Sequence, residues 1–375
     1  MVDVVVVGGG TVGLATAWRL AERGASVTVV DPHAAPHEYG SHAGYTRVTR
    51  HAYHEGSGYV PLVQEADRAW CALEPSPGAL LVRTGMLEFG PRDDPGFSAA
   101  LAACDAHDLE HEMLTAAQVR ARHPVVLPEG WEGCFTPTGG YLRVGPCLEA
   151  MRARAVDLGA RIRSGTAALH LEPGRVHTSD GVLEADAVVL AAGSRVAELL
   201  PASESMPLRR LRRLLFWIRP ATGWMASAQS LPVWGAFTPD GFFYGFPPGH
   251  EGIDGMKVAC HTSASIPGLD DPVQPDAFDR SVRPEDWGPV EACLRAHLPA
   301  AGVERIDHRA CLYTATDSWD FLLDRHPGDP RLIVAAGFSG HGFKFAPTLG
   351  RLAADLVLGG GRPHPGFAWD RHRSG

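Results

Sequence analysis

Residues 4–20 read VVVVGGGTVGLATAWRL, and they carry the strongest indication of the fold. The four valines form a continuous apolar run, as expected for a parallel strand that is buried on both faces. Gly8, Gly10 and Gly13 then follow in the spacing Gly-x-Gly-x-x-Gly, ahead of apolar residues at helical spacing. A second short apolar run, from Val27 to Val30, ends at Asp31. This order of strand, glycine turn, helix and strand predicts a βαβ unit that binds a dinucleotide.

Each part of the predicted unit has a physical task. The glycines permit a tight turn, a close approach of the backbone to a pyrophosphate, and close packing of the helix on the strand. The start of the helix, at Thr11 and Val12, offers backbone amides to the phosphate charge. Asp31 can accept hydrogen bonds from ribose hydroxyls. The motif predicts dinucleotide binding, but by itself it does not distinguish FAD from NAD.

Further α/β segments occur in the middle and at the end of the chain. Residues 144–158 have helical spacing, Leu183 to Leu190 reads as one buried strand, and residues 332–336 lead through glycines into a helix at 348–358. Residues 208–262 look mainly β, and residues 267–284 form a loop rich in Pro and Asp. We therefore predict an α/β fold in which a Rossmann-like nucleotide-binding domain is interleaved with an α+β substrate domain on a mainly antiparallel sheet. The predicted boundaries are 1–80, 143–207 and 305–375 for the first domain, and 81–142 and 208–304 for the second.

Charge and hydropathy exclude several classes of partner. The 375 residues carry a formal net charge of −9, which disfavours nucleic acid and anionic membranes as partners. The arginines at 209, 210, 212 and 213 are interpreted as salt-bridged residues at the surface or between domains. No apolar run reaches the roughly 18 residues of a membrane span, and the first strand starts too close to Met1 for a signal peptide. We expect a cytoplasmic protein.

Cysteine and histidine spacing indicates no metal and no disulfide framework. The seven cysteines are odd in number and scattered, and no Cys-x-x-Cys occurs. By composition alone Cys311 is a buried thiol. His107 and His111 lie one helical turn apart without an evident third ligand, which favours a solvated helix face over a metal site.

Only two of the 34 basic residues are lysines, Lys257 and Lys344. Lysine is a compact ammonium group whose pKa responds to burial, whereas arginine is a planar fork that stays charged. A position that keeps lysine in so arginine-rich a chain can therefore be one that needs a point charge. Chance is the alternative explanation.

Six blocks of the sequence together resemble a known family: residues 40–53, 59–62, 244–247, 257–261, 311–314 and 337–345, in addition to the N-terminal glycine motif. The chain is similar to the monomeric sarcosine oxidase and N-methyltryptophan oxidase family over nearly its whole length. The resemblance implies FAD as the dinucleotide, a monomer, and a thioether between Cys311 and the 8α carbon of the flavin. The residues that it implies for cofactor binding are Gly8, Gly10, Thr11, Val12, Gly13, Asp31, Ser41, His42, Arg47, Cys311, Gly340, Gly342 and Lys344.

The same resemblance implies an oxidase of secondary, N-methyl α-amino acids. Arg50 and Lys344 would bind the substrate carboxylate, Tyr244 and His261 would line the pocket around the amine, and Lys257 would face the flavin where dioxygen is reduced to hydrogen peroxide. The product would be an imine. Catalytic roles are thus expected for Lys257, Tyr244, His261, Arg50 and Lys344.

Departures from the family pattern leave the substrate open. Ala43, Tyr45, Cys260 and Trp319 stand where relatives have other residue types, and Trp319 could reshape an aromatic wall. One alternative is an oxidase of a cyclic imino acid, such as pipecolate, proline or a piperideine carboxylate. Others are a flavin dehydrogenase with an acceptor other than dioxygen, an NAD-dependent enzyme, and a non-catalytic nucleotide-binding protein.

Overall fold

The computed structural model describes residues 1–200, 206–224, 230–249, 253 and 255–372. Its strands, in chain order, are β1 (Asp3–Val7), β2 (Ser26–Asp31), β3 (Thr46–Thr49), β4 (Leu81–Arg83), β5 (Met86–Pro91), β6 (Glu112–Thr115), β7 (Trp131–Thr136), β8 (Gly140–Arg143), β9 (Arg161–Ser164), β10 (Ala168–Glu172), β11 (Arg175–Thr178), β12 (Gly181–Glu184), β13 (Ala187–Leu190), β14 (Arg209–Arg219), β15 (Val233–Thr238), β16 (Gly241–Gly245), β17 (Met256–Thr262), β18 (Glu304–Ala315), β19 (Leu322–His326) and β20 (Asp329–Ala336). The helices are α1 (Thr11–Ala21), α2 (Val60–Leu73), α3 (Pro95–Ala106), α4 (Ala116–Arg122), α5 (Val144–Asp157), α6 (Val196–Leu199), α7 (Pro284–His297) and α8 (Ala346–Val357).

A six-stranded sheet in the order β19-β20-β13-β1-β2-β9 forms the first layer. All its neighbouring strands are parallel except the antiparallel edge pair β19 and β20. The valines of β1 are buried, because helices α1 and α8 cover one face of the sheet and a second apolar cluster covers the other. The predicted βαβ unit is thus present at the centre of this sheet.

Two of the motif glycines are required by the packing of the turn itself. Gly8 has a φ of 108°, and a Cβ there would lie 2.4 Å from the carbonyl oxygen of Ala191. A Cβ on Gly13 would lie 1.8 Å from the carbonyl oxygen of Gly8, so the first turn of α1 can approach β1 only without a side chain. At Gly10 the nearest atom would be 3.8 Å away, on His42. The turn therefore leaves open space at the start of α1.

An eight-stranded sheet, β18-β14-β17-β16-β15-β5-β7-β6, forms the second layer. Its strands are antiparallel to their neighbours except for the parallel pair β5 and β15. One face packs on an apolar cluster that includes α7, and three residues of this sheet, Leu215, Tyr244 and Cys311, line a cavity together with Val7 at the end of β1. The predicted combination of a Rossmann-like sheet and a mainly antiparallel sheet is confirmed. The predicted boundary at residue 305 falls inside β18, which pairs with β14 along its length; the domain limits stay a prediction.

Local predictions were wrong at two places. Leu183 to Leu190 is not one strand but two, β12 and β13, in different sheets. The break occurs at Asp186, whose carboxylate accepts a hydrogen bond from the Asp3 amide at 2.9 Å and so ends the ladder beside β1. Helix α3 ends at Ala106, so His107 and His111 follow the helix instead of lying on its face.

The structure also bears on the arginine cluster, on metal ligands and on membrane-spanning helices. The arginine cluster is salt-bridged as predicted, but Arg213 is buried, and Arg212 holds Asp286 through two contacts of 2.8 and 2.9 Å. Within the described ranges, no three or more of His, Cys, Asp and Glu gather as potential metal ligands. No helix among the described residues combines the length and the apolar character needed to cross a membrane.

Candidate active site

A cavity of about 630 Å³ runs along the carboxyl end of β1. Such a position, at the ends of parallel strands, is where α/β sheets bind nucleotides. Most of the predicted cofactor-binding residues line it: Gly8, Gly10, Thr11, Val12, Asp31, Ser41, His42, Arg47, Cys311, Gly340 and Gly342. Of the remaining two, Gly13 packs against Gly8 beneath the cavity, and Lys344 lines a neighbouring cavity instead.

Asp31 fixes the turn as well as facing the cavity. One carboxylate oxygen accepts a hydrogen bond from the Gly9 amide at 2.7 Å, and the other accepts one from the His33 amide at 2.7 Å. Each oxygen keeps a second lone pair for a ribose hydroxyl. The predicted ribose contact is compatible with this geometry, but the carboxylate also holds the glycine turn in shape.

The segment from Ser41 to Arg47 covers the middle of the cavity. The Arg47 guanidinium donates to the carbonyl oxygens of Ser41, Ala43 and Thr46 at 2.6–2.9 Å. Burial lowers the pKa of His42 to about 3, so its ring is neutral. That neutral ring accepts a hydrogen bond from the His37 amide at 3.2 Å. The segment is thus held by its own side chains, and the fixed Arg47 charge faces the cavity.

Cys311 lies on the cavity-facing side of β18, directly opposite Arg213 of β14. It is 3% exposed, and burial raises the pKa of its thiol against the opposing effect of Arg47 and Lys257. A sulfur atom at the wall of the dinucleotide cavity, next to cations that favour its thiolate, has the chemistry for a bond to a bound cofactor. FAD therefore fits the residues present: a glycine turn for pyrophosphate, a carboxylate for ribose, and a thiol farther along the same cavity.

A second, smaller cavity of about 70 Å³ adjoins the first. Arg47, Tyr244, Tyr313, Gly340 and Phe343 line both cavities, so the two share a wall. Its other lining residues are Thr46, Val48, Arg50, Glu55, Met86, Phe242, Phe246, His261, His341 and Lys344. The structure thus brings Arg50, Lys344, Tyr244 and His261 together, although they are far apart in sequence.

Arg50 is buried and already engaged by the chain. Its Nη2 lies 2.8 and 2.6 Å from the two carboxylate oxygens of Glu55, and its Nη1 donates to the carbonyl oxygen of Ala52 at 2.7 Å. Its Nε is 4.0 Å from Glu88. Burial would lower the pKa of this guanidinium, but Glu55 and Glu88 raise it, so the group stays charged. A substrate carboxylate must therefore compete with Glu55 for Arg50.

Lys344 points its ammonium group into the same space. Nζ donates to the carbonyl oxygen of His341 at 3.0 Å and lies 3.5 Å from the hydroxyl of Tyr53. Burial and the nearby Arg50 lower its pKa to about 7. Tyr53 in turn lies 2.6 Å from Nδ1 of His341, whose pKa burial lowers to about 4. Because Nε2 of that ring faces the carbonyl oxygen of Trp319 at 3.2 Å, Nε2 carries the proton and Tyr53 donates to Nδ1.

Tyr244 and His261 are joined through Tyr313. Nδ1 of His261 lies 3.1 Å from the Tyr313 hydroxyl, and burial holds the pKa of His261 well below its usual value. Burial also raises the pKa of Tyr244 to about 12. At neutral pH this group therefore offers hydroxyls and a neutral imidazole. These groups can form hydrogen bonds to an amine without adding charge.

Lys257 does not enter the small cavity itself but contacts Thr46, which lines it. Its Nζ donates to the carbonyl oxygen of Thr46 at 2.7 Å and lies 4.7 Å from the ring centre of Phe246. Lys257 is 3% exposed. Among the described residues, those that line the two cavities do not include it. Both lysines of the chain are thus buried within the same region.

Two acidic residues of the site were missed by the sequence analysis, Glu55 and Glu88. Glu88 is 1% exposed. A lone glutamate within the apolar strand Met86–Pro91 is an unusual feature, and that was the available signal. Glu55 follows the block that carries Arg50 and had no distinguishing pattern. Trp319, noted as a departure, has a φ of 63° and packs its ring 6.0 Å from that of His261.

The geometry can be set beside known proteins. A family of FAD dependent oxidoreductases matches residues 3–356. The chain belongs to this family. It is 32% identical to monomeric sarcosine oxidase of Bacillus sp. (strain B-0618), over 96% of this chain and 93% of that protein. It is 33% identical to N-methyl-L-tryptophan oxidase of Yersinia pestis (strain Pestoides F), over 94% of both.

Solved structures agree with this assignment. NikD, described as an unusual amino acid oxidase essential for nikkomycin biosynthesis, superposes with a TM-score of 0.82 at 29% identity, covering 97% of this chain and 95% of that one. The predicted family, the fold class and the FAD-dependent oxidoreductase activity are therefore confirmed. An NAD-dependent enzyme and a non-catalytic nucleotide-binding protein are excluded as alternatives for this chain.

Proposed function

We propose that this FAD-dependent oxidoreductase oxidises a small secondary α-amino acid to an imine and passes the electrons to dioxygen, which gives hydrogen peroxide. The observation that carries the proposal is the shared wall between the two cavities. It sets Arg50 and Lys344 in a pocket that opens beside the place where the flavin would lie. Bound FAD would supply the two-electron acceptor. The names of the sarcosine and N-methyltryptophan oxidases support the substrate class.

In this proposal the chain's residues orient the substrate. Lys344 and Arg50 hold the carboxylate, and the carboxylate displaces Glu55 from Arg50 as it binds. Tyr244, Tyr313 and His261 form hydrogen bonds around the amine, and the uncharged state of all three favours a neutral amine over an ammonium ion. Holding the reacting carbon in one position removes much of the entropic cost of the reaction.

Three further residues would serve the cofactor and the oxidant. Cys311 would hold FAD through a thioether at the 8α carbon, as its place in the cavity wall allows. Lys257 would stabilise the negative charge that develops on dioxygen, because it is a buried ammonium group in contact with Thr46, which lines the small cavity. Arg47 would place a fixed charge near the cofactor. We further propose a monomer that works in the cytoplasm.

Cavity size bears on the choice of substrate. This pocket measures about 70 Å³, and N-methyltryptophan adds a whole indole side chain to the atoms that sarcosine already has. We therefore propose that sarcosine and similarly small amino acids are preferred over N-methyltryptophan. A cyclic imino acid such as proline or pipecolate is the second candidate, because Met86, Phe242 and Phe246 offer apolar walls to ring methylenes.

A substrate panel tests the proposal. Purified protein would be incubated with sarcosine, N-methyltryptophan, proline and pipecolate, with peroxide as the readout. Peroxide from sarcosine at the highest kcat/KM supports the first candidate, and a preference for proline or pipecolate supports the second. Substrate-dependent flavin reduction under anaerobic conditions, followed by slow reoxidation in air, would identify a dehydrogenase instead. An absence of both peroxide and flavin reduction with all four compounds would refute amine oxidation.

A further inference from the structure

Glu88 is a buried acid next to the substrate pocket: it is not among the described residues that line the cavity, but it lies 4.0 Å from Arg50, which does. It lies on β5 between Leu87 and Phe89, whose side chains belong to the apolar cluster on the opposite face of the sheet. Met86, two residues earlier and on the same face as Glu88, lines the small cavity. At 1% exposure, an ionised carboxylate here requires a cation or hydrogen-bond donors.

Glu88 lacks part of this stabilisation. Arg50 Nε is 4.0 Å from Glu88 Oε1, which is beyond hydrogen-bond distance. Among the described residues no donor forms a hydrogen bond to that oxygen. Glu55 instead receives both short contacts from Arg50, at 2.6 and 2.8 Å. Two carboxylates therefore share one guanidinium, and Glu88 has the weaker contact and the deeper burial.

The charges of the pocket then limit what can bind. When Lys344 is protonated, Arg50 and Lys344 contribute two positive charges, and ionised Glu55 and Glu88 contribute two negative charges. A substrate whose amine is neutral, as oxidation requires, adds one net negative charge through its carboxylate, and an excess charge in a buried site is costly unless a group is neutralised. The charged or titratable groups that face Glu88 are Arg50, Glu55, Lys344 and, from β7, Cys134. Of the two carboxylates, Glu88 is the one placed to accept a proton.

The acid–base properties of the two residues agree with their geometry. Burial raises the pKa of Glu88 to about 7, against the opposing effect of Arg50. At Glu55 burial also acts to raise the pKa, but Arg50 and the other nearby cations outweigh it and hold that pKa well below its usual value. A bound carboxylate adds another negative charge beside Glu88, which would raise the pKa of Glu88 further.

We propose, on the basis of the proposed amine oxidase function, that Glu88 becomes protonated when the substrate carboxylate binds to Arg50 and Lys344, and that the substrate ammonium supplies this proton. One ammonium N–H bond breaks and one O–H bond forms on Glu88. The amine becomes neutral, as its oxidation requires, and no proton is exchanged with solvent. In this role Glu88 is the acceptor of the substrate proton, and Arg50 is the cation nearest to it.

Infrared difference spectroscopy tests the first step without turnover. The probe is (methylthio)acetate, in which sulfur replaces the amine nitrogen, with a ¹³C-labelled carboxylate to move its own bands away. At pH 8 the holoenzyme should gain the C=O stretching band of a neutral carboxylic acid on binding. Glu88→Gln should lose this band, and the control Glu149→Gln, at an exposed position outside the pocket, should keep it. A band that persists in Glu88→Gln, its absence in the wild type, or a lack of probe binding would overturn the proposal.

The pH dependence of turnover tests the second step. Without Glu88 the ammonium proton must pass to solvent, so with sarcosine the kcat/KM of Glu88→Gln should rise about tenfold per pH unit towards the amine pKa. The wild-type profile should level off at a lower pH, and the exposed-site control Glu149→Gln should follow the wild type in shape. Identical profiles for wild type and Glu88→Gln would contradict the proposal. A failure of the amine oxidase function itself would be recognised separately, because no secondary amino acid would then give peroxide or reduce the flavin.

Discussion

The walls of the two adjoining cavities are formed by different parts of the chain. The dinucleotide cavity is shaped mainly by backbone, with glycines at positions where a Cβ would collide with a carbonyl oxygen. The substrate cavity is shaped by buried charged side chains, with Arg50, Glu55, Glu88 and Lys344 close enough to shift one another's pKa. The glycine turn of the first site, which would bind the constant pyrophosphate part of the cofactor, is local in sequence, although the rest of that cavity comes from distant segments. The second has to tune charge, and its parts come from distant segments.

The difference has an energetic side. Backbone geometry that fits a ligand costs little to keep when it forms along with the fold, whereas several buried charges in one pocket oppose folding. We expect changes to the glycine turn to remove cofactor binding altogether. Changes to the charged pocket should alter catalysis, pH dependence and stability while FAD remains bound.

Gly13→Val is the change with the largest expected effect. A Cβ at this position would lie 1.8 Å from the carbonyl oxygen of Gly8, so α1 must move away from β1. Overpacking usually costs about 1–3 kcal/mol, and here it also displaces the amides that face the pyrophosphate. We expect soluble protein, if any is obtained, to have lost most of its flavin by absorbance. Gly145→Ala is the control, since a Cβ there meets nothing within 4 Å. Full flavin content in Gly13→Val would show that cofactor binding does not depend on the glycine turn, and the contrast drawn between the two cavities would be wrong.

Cys311→Ser separates the fit of the cavity from the proposed bond. We expect the variant to bind FAD and stay yellow while folded, but to release all of the flavin into the supernatant on acid precipitation. Wild type and the exposed-cysteine control Cys71→Ser should give a yellow pellet. A colourless wild-type pellet would refute the covalent attachment, and a yellow Cys311→Ser pellet would assign it to another residue.

Sequence reasoning succeeded where the relevant contacts are local. The glycine turn, α1 and Asp31 lie within about thirty residues, and their spacing alone implies the cavity. The break at Asp186 was missed because it depends on a contact with Asp3, which is far away in sequence. An apolar run cannot show which part of it pairs with which sheet.

The substrate pocket illustrates the limit more sharply. The scarcity of lysine in the sequence singles out Lys257 and Lys344, but it does not show that Glu55 occupies Arg50. Nor does it place Glu88 beneath that pair, because β5 and the segment from Arg50 to Glu55 meet through tertiary packing alone. Charge balance in a buried site depends on all the charged residues that meet there, so no single sequence motif reveals it.

Lys257→Met separates the two half-reactions, which are flavin reduction by the substrate and flavin reoxidation by dioxygen. Removal of one preorganised charge from a developing anion typically costs about 10²–10³-fold in rate. We expect flavin reoxidation by dioxygen to slow by about this factor, with anaerobic flavin reduction by sarcosine much less affected. Lys344→Met is the matched control and should show the opposite pattern, with weakened substrate binding and ordinary reoxidation. Stopped-flow measurement of both half-reactions decides the matter, and wild-type reoxidation in Lys257→Met would remove the role given to that residue.

Glu88→Gln and Glu55→Gln compare the two carboxylates through stability, and here we expect shifts in melting temperature without loss of FAD. The pKa of Glu88 is raised from an ordinary value near 4.5 to about 7 on folding, so its ionisation opposes folding fully above pH 7 and has no such effect below pH 4.5. Glu88→Gln should thus raise the melting temperature at pH 8, by relief of about 3 kcal/mol, and leave it nearly unchanged at pH 5. The pKa of Glu55 is lowered on folding, so its ionisation favours folding above its unfolded pKa, and this contribution is lost as pH falls through the lower folded value. Glu55→Gln should therefore lower the melting temperature at pH 8, and equal shifts in both variants would show that the two acids have the same role.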